Sequence, residues 1–251
     1  MGEQRLKLGF DEYEWRARVQ PAIIISLPAV LTLWSVFSFK DVSLTGATAS
    51  SVVSIAIIYA LSTVVRANGR KIEPLLLERW GGIPSTVITR WRDQRIGPDL
   101  KKKYHGAVRS LLGLPMPSQQ DEVENPVGAD ELLTQAFDRV RGILRTEDPH
   151  GLWFKNNCDY GFHRNLLGTR NIWLVISLVA LAGSSLVAYI KPGIPVIAVL
   201  ALNALFLAGC LYMGWSTLPR GVENAAFEYA KSAWESFLNV SSQKHPRLDP
   251  P

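Results

Sequence analysis

The sequence predicts an all-α membrane protein, and three observations carry that expectation. Apolar stretches at 22–38, 48–65, 172–190 and 194–215 approach or exceed the ~20 residues a helix needs to cross a bilayer. None of the four contains an interior Asp, Glu, Lys, Arg or His, and Lys191 falls in the turn between the last two. Elsewhere apolar residues recur at helical spacing. The expected layout is an N-terminal tail at 1–21, a transmembrane hairpin at 22–66 and a helical module at 67–170. A second hairpin follows at 171–215, then an amphipathic helix with a frayed tail at 216–251.

The tail before the first stretch carries Arg5, Lys7, Arg16 and Arg18. The connection after the second stretch opens with Arg66, Arg70 and Lys71, whereas the two short turns offer only Lys40 and Lys191. Because basic residues collect on the cytoplasmic side, both termini and the central connection are expected inside, with the hairpins pointing outward. Ala47-Thr48-Ala49 resembles a signal-peptide cleavage site. The late, mixed-charge approach to the first apolar stretch argues instead for a signal anchor. The cysteines, Cys158 and Cys210, fall one in a polar segment and one inside an apolar stretch, so they read as reduced thiols.

Within the spans, Trp15, Trp173, Tyr189, Tyr212 and Trp215 mark the ends as an interfacial aromatic belt. Small residues four apart (Ser50 and Ser54, Ala56 and Ala60, Ser184 and Ala188, Ala204 and Ala208) let helices approach closely, by internal packing or at a pore-lining or oligomer face. Asn203 is the most polar side chain in mid-span, and its amide requires a partner on another helix, a neighbouring subunit or a wet cavity. The lack of ionisable groups deep in the spans argues against ion-coupled transport.

In the central connection, Pro74 to Trp80 extends or follows the second span and stops at Gly81-Gly82. Pro84-Ser85-Thr86 starts a short helix through Trp91, and Gly97-Pro98-Asp99 starts one that ends at Gly113. Residues 114–129 have loop composition, and Asp130 caps the following helix. That helix repeats Leu132, Leu133, Ala136, Phe137, Val140, Ile143 and Leu144 at helical spacing, as the last helix does Val222, Ala225, Ala226, Tyr229, Ala230, Ala233, Trp234, Phe237 and Leu238. Two such faces satisfy one another.

Charge in the connection is segregated, with eleven basic residues against four acidic at 66–109 and eight acidic against three basic at 121–148. The basic half has three readings. A surface apposed to anionic lipid comes first. A phosphate-bearing ligand such as a nucleotide, held by Arg90, Arg92, Arg95, Lys101, Lys102 and Lys103, comes second. Nucleic acid ranks last, since Trp91 and Tyr104 could stack bases but no binding motif surrounds them.

No phosphate loop, nucleophile elbow or paired metal motif is present in the sequence. His150, Cys158, Asp159 and His163 match no standard zinc spacing, and a Cys158 nucleophile with His163 as base needs a fold the spacing does not supply. No catalytic residue, metal or cofactor is therefore expected. The stretch from Asn156 to Gly168 suits an interfacial elbow before the third span, with Tyr160, Phe162, His163, Arg164 and Asn165 as its coupling residues. It equally suits a relay between the module and the membrane hairpin.

Leu77-Glu78-Arg79-Trp80-Gly81-Gly82, Pro84-Ser85-Thr86, Tyr104-His105, Tyr160-Gly161-Phe162 and Arg164-Asn165-Leu166-Leu167-Gly168 together carry a resemblance. Over most of its length the chain resembles an uncharacterised family of bacterial four-helix inner-membrane proteins. The resemblance implies location in a bacterial inner membrane and supplies no catalytic residues. At the level of architecture alone, it is also similar to membrane effectors of bacterial antiviral systems.

Three functions remain open on the sequence. The first is a non-enzymatic membrane protein whose module binds a cytoplasmic partner or signal and controls assembly of the membrane helices, as a homo-oligomer. The second is an oligomeric channel or membrane-perturbing effector gated by a phosphate-bearing ligand. The third is a membrane-bound enzyme using Cys158 and His163.

Overall fold

A computed structural model describes the backbone of residues 11–36 and 44–244, and the side chains of 11–35 and 57–244. Among the described residues helices are joined by loops, and there is no strand. Helix α1 (Glu12–Glu14) runs through a π-helical turn (Trp15–Val19) into α2 (Gln20–Val36). Next come α3 (Leu44–Trp80), α4 (Pro84–Val87), α5 (Pro98–Leu112), α6 (Gln119–Glu124) and α7 (Pro126–Glu147). The order closes with α8 (Leu152–Gly168), α9 (Arg170–Ile190), α10 (Ile194–Tyr212), a second π-helical turn (Met213–Thr217) and α11 (Leu218–Lys244).

Among the described residues, three helices are long and apolar enough to cross a membrane: Glu12–Ser35, Arg170–Ile190, and the apolar part of the continuous helix Ile194–Lys244. At ~1.5 Å per residue, the 21 residues of α9 extend about 31 Å, the thickness of a bilayer core. The stretch at 48–65 forms part of α3, but its side chains up to residue 56 lie outside the described residues, as do Lys40, the Ser50 and Ser54 pair, and Arg5 and Lys7.

The chain forms two compact units, Met1–Glu73 with Gly161–Val222, and Pro74–Tyr160 with Glu223–Pro251. Each passage of the chain from one unit to the other occurs inside a helix, in α3, α8 and α11. In the first unit α2, α9 and α10 pack on one another. Their outward positions are apolar, with Val175, Val179, Leu186, Ile197 and Leu205 all more than half exposed. Such a surface is suited to lipid rather than to water.

The second unit has the water-soluble pattern, an apolar interior under a charged surface. Tyr104 stacks on Trp234 at 5.5 Å, and Phe137, Phe237, Leu133, Val140, Leu144 and Trp153 close around them. These are the apolar faces of α7 and α11 that the sequence pairs, joined by α5 and the start of α8. Trp234 donates Nε1–H to the Ser85 carbonyl at 3.0 Å, which satisfies the one polar atom of a fully buried indole.

Local hydrogen bonding corrects several expected boundaries. The helix expected through Trp91 stops at Val87, because the Trp91 and Arg92 amides bond to the Glu122 carboxylate instead of to helical carbonyls. The expected loop at 114–129 contains α6, nucleated by a reciprocal capping box between Ser118 and Asp121. Those bonds, the Ser118 backbone amide first and its hydroxyl second, hold the Asp121 carboxyl below the usual carboxylate range. Asp130 is not the cap of α7: Asn125 caps it, with Pro126 in the first turn, and Asp130 faces two arginines. Residues 156–168, expected as an elbow, are continuous helix within α8.

Candidate functional site at the junction of α8 and α9

In the first unit the chain from Arg164 to Arg170 forms a hub. Helix α8 ends at Gly168, Thr169 leaves helical geometry, and α9 begins at Arg170. The buried Thr169 hydroxyl bonds back to the Asn165 carbonyl at 2.9 Å, so the break stays hydrogen-bonded internally. From this junction three side chains reach three other parts of the unit.

Arg164 pairs with Glu73 of α3 at 2.7 Å. Asn165, 1 % exposed, donates Nδ2–H to the Ala17 carbonyl at 2.6 Å, inside the first π turn. Arg170 donates to the Gly214 carbonyl at 3.4 Å, inside the second π turn, and lies over the Trp215 ring at 5.0 Å. A π turn breaks the regular ladder of backbone hydrogen bonds and often marks functional sites. Here a carbonyl in each π turn is taken by a side chain from the same seven-residue segment.

Glycine makes the close approach possible. A Cβ on Gly168 would lie 2.6 Å from the backbone carbonyl of Asn68, and one on Gly69 would collide with Asn165. Helices α3 and α8 therefore cross with backbones nearly touching, as small-residue contacts allow. Gly161 likewise faces Ala17 and Tyr13, and Gly221 faces the His163 ring. Phe162 and His163 contact each other edge to face within α8.

A second polar node lies between α2, α9 and α10. Asn203 Nδ2 is 2.8 Å from Thr32 Oγ1, 3.2 Å from Ser184 Oγ and 3.3 Å from the Ala180 carbonyl. Thr32 Oγ1 in turn lies 2.9 Å from the Pro28 carbonyl and 3.1 Å from that of Ala180. The mid-span amide nitrogen thus finds its partners on the neighbouring helices, while among the described residues its buried Oδ1 has none. Of the small-residue pairs, Ser184 is buried in this node, while Ala204 and Ala208 face outward. Trp173, expected among head groups, is buried in the unit, whereas Trp15, Tyr189, Tyr212 and Trp215 are exposed.

In the second unit, of the basic residues expected to hold a phosphate-bearing ligand, Arg90 and Lys101 turn inward onto the loop between α4 and α5, while Arg92 and Arg95 pair with carboxylates and stay partly exposed. Arg90 makes a two-pronged pair with Asp130, at 2.7 and 2.8 Å, and also donates to the Gly81 carbonyl at 2.8 Å. Arg92 bridges Glu122 at 3.2 Å and Asp130 at 2.9 Å. Arg95 pairs with Asp93 and lies over the Phe227 ring at 4.3 Å. Lys101 is buried, with Nζ on the carbonyls of Trp91 and Asp93. Burial lowers its pKa from the ordinary lysine value, opposed by the Asp93 and Glu122 carboxylates.

Lys102 and Lys103 remain exposed, Lys102 beside Asp99 at 3.2 Å. Opposite charges at the two ends of the connection therefore meet as a clamp that fixes a loop. His105 belongs to it, with Nε2 donating to the Thr89 carbonyl at 3.0 Å. Burial pushes its pKa down; the Thr89 bond and Glu122 oppose this, while Arg109 and Lys101 reinforce it. Burial, with Glu235 second, raises the Tyr104 phenol to about 12.

Cys158 and Cys210 are both buried, and Tyr160 stacks against Tyr229. Among the described residues no group of three His, Cys, Asp or Glu side chains could hold a metal ion, the grouping of His150, Cys158, Asp159 and His163 included. The hub was partly visible in the sequence as the dense stretch ending at Gly168. Its targets, Ala17 and Gly214, carried no signal, because a backbone carbonyl has no sequence identity. Comparison with protein-family models, curated proteins and solved structures finds no match to this chain.

Proposed function

We propose that this chain is a non-enzymatic integral membrane protein in which a helical cytoplasmic module receives a partner or signal and alters the assembly of the membrane helices. In this reading four spans form two hairpins with both termini on the cytoplasmic face of a bacterial inner membrane. The observation that carries it is the hub, where Arg164, Asn165 and Arg170 bind α3 and both π turns from one short segment. Because α8 begins in the other unit and ends in this hub, a change at its start has a covalent helical path to every contact the hub makes.

The spans support association between copies rather than passage of solute. Asn203 and Ser184 face inward in one node, and the small Ala204 and Ala208 face outward. A phosphate-gated channel is less well supported, since Arg90, Arg92 and Lys101 already have partners within the loop clamp. The reading is tested by purifying the full chain in native-lipid nanodiscs and counting copies per disc with and without cell extract. More than one copy, in a number that extract changes, is the expected result. A strictly monomeric protein under both conditions overturns the assembly reading.

A further inference from the structure

Helix α3 presents one face to the hub and leaves the other open. Ser62, Val65 and Gly69 are buried on the inner face, where Gly69 and Asn68 meet α8. The outer face carries Ala60, Thr63, Val64, Ala67, Arg70 and Lys71, all exposed. Spacings of three, four and seven residues put these on one side of the helix. Its chemistry changes along its length, from small and apolar to doubly cationic over six to seven residues, a rise of about 10 Å.

Glu73 is the carboxylate nearest in sequence to these cations, and it is engaged by Arg164. Among the described residues, Arg70 and Lys71 make no ion pair. We infer that the outer face of α3 is a binding site for an anionic phospholipid, with acyl chain along Ala60 to Val64 and phosphate at Arg70 and Lys71. An amphiphile matches both halves of the face at the separation found, and a soluble anion matches only one. A second copy held parallel in the same membrane would bring Arg70 and Lys71 against their own equivalents, which like-charge repulsion opposes.

The site stands apart from the proposed control of assembly, and its test reads lipid rather than copy number. The full chain is reconstituted in nanodiscs of equal phosphatidylglycerol and phosphatidylcholine, and retained lipids are counted by native mass spectrometry after mild delipidation. Enrichment of phosphatidylglycerol on the wild-type chain is expected. A paired Arg70→Gln, Lys71→Gln variant should reduce that enrichment about thirtyfold, from two lost surface cations. The charge-preserving Arg70→Lys, Lys71→Arg variant should retain it, and so should Lys102→Gln with Lys103→Gln in the other unit. Equal retention of the two lipids by the wild type, or unchanged enrichment in the Gln pair, overturns the proposal. Displacement of the lipid by inorganic phosphate would assign the site to a soluble anion. Protection of α3 only in dimeric particles would assign the face to a second copy. Either outcome overturns the lipid.

Discussion

Asn165 in α8 donates its amide to the carbonyl of Ala17 at 2.6 Å, joining residues 148 positions apart across the centre of the apolar unit. The bond fixes a π turn to a helix end, and both partners are buried. Replacing Asn165 by Ala leaves the Ala17 carbonyl without that donor, at a cost of about 1–3 kcal/mol. Asn165→Asp should cost more, because a carboxylate would face the carbonyl oxygen. Thermal unfolding of the full chain in detergent checks the order wild type, Ala, Asp.

Gly168 is sensitive for a steric reason. An added Cβ would meet backbone atoms of Asn68 and Gly69, at 2.6 and 2.7 Å, and backbone cannot swing aside as a flexible side chain can. Gly168→Ala should therefore destabilise the chain by about 1–3 kcal/mol, as overpacking does. Gly106, where a Cβ meets nothing within 4 Å, is the control, and Gly106→Ala in α5 should be neutral or mildly stabilising. Parallel melting curves of the two variants check the contrast.

The loop clamp in the other unit depends on one buried carboxylate. Glu122 accepts from the backbone amides of Trp91 and Arg92, at 2.7 and 3.2 Å, and pairs with the Arg92 guanidinium. Glu122→Ala strands both amides and should cost about 1–3 kcal/mol, the penalty for leaving such donors unsatisfied. Trypsin should then cut first at Arg90, Arg92 or Arg95, and mass spectrometry of early fragments reads the site directly.

The pH dependence follows from His105. Its pKa is lowered by burial, so the folded chain binds its proton less readily than the unfolded chain does. The stabilisation is present above the unfolded value of about 6.5 and is lost as pH falls toward the folded value. Melting temperature should therefore drop on acidification below about pH 6.5. His105→Gln, whose amide can still donate to Thr89, should flatten that part of the profile. A profile unaltered by the substitution would assign the acid sensitivity elsewhere.

The sequence was most legible where a periodic apolar face decides the structure. The pairing of Leu133, Phe137 and Val140 with Ala230, Trp234 and Phe237 was readable because each helix needs a partner, and the core contains both. The α5 boundaries, from Gly97-Pro98 to Gly113, were readable because glycine at φ 63 suits a helix end. Loop chemistry was less legible. Arg90 and Arg92 looked like free cations because Asp130 is some forty positions away, and nothing in sequence marks a carboxylate as facing inward. The stretch Asn156 to Gly168 looked like an elbow because its composition is mixed. It is helix because Asn165 and Arg164 find partners outside it.

In the proposed function the hub links the helical module to assembly of the membrane helices. Counting photobleaching steps of the fluorescently tagged full chain in single membrane particles tests this most directly, with wild type compared with an Asn165→Ala, Arg170→Gln double variant. Circular dichroism must first show the same helical content in both. The expected result is a multi-copy distribution for the wild type that shifts when the two hub contacts are removed. An identical distribution for the two proteins would contradict the account.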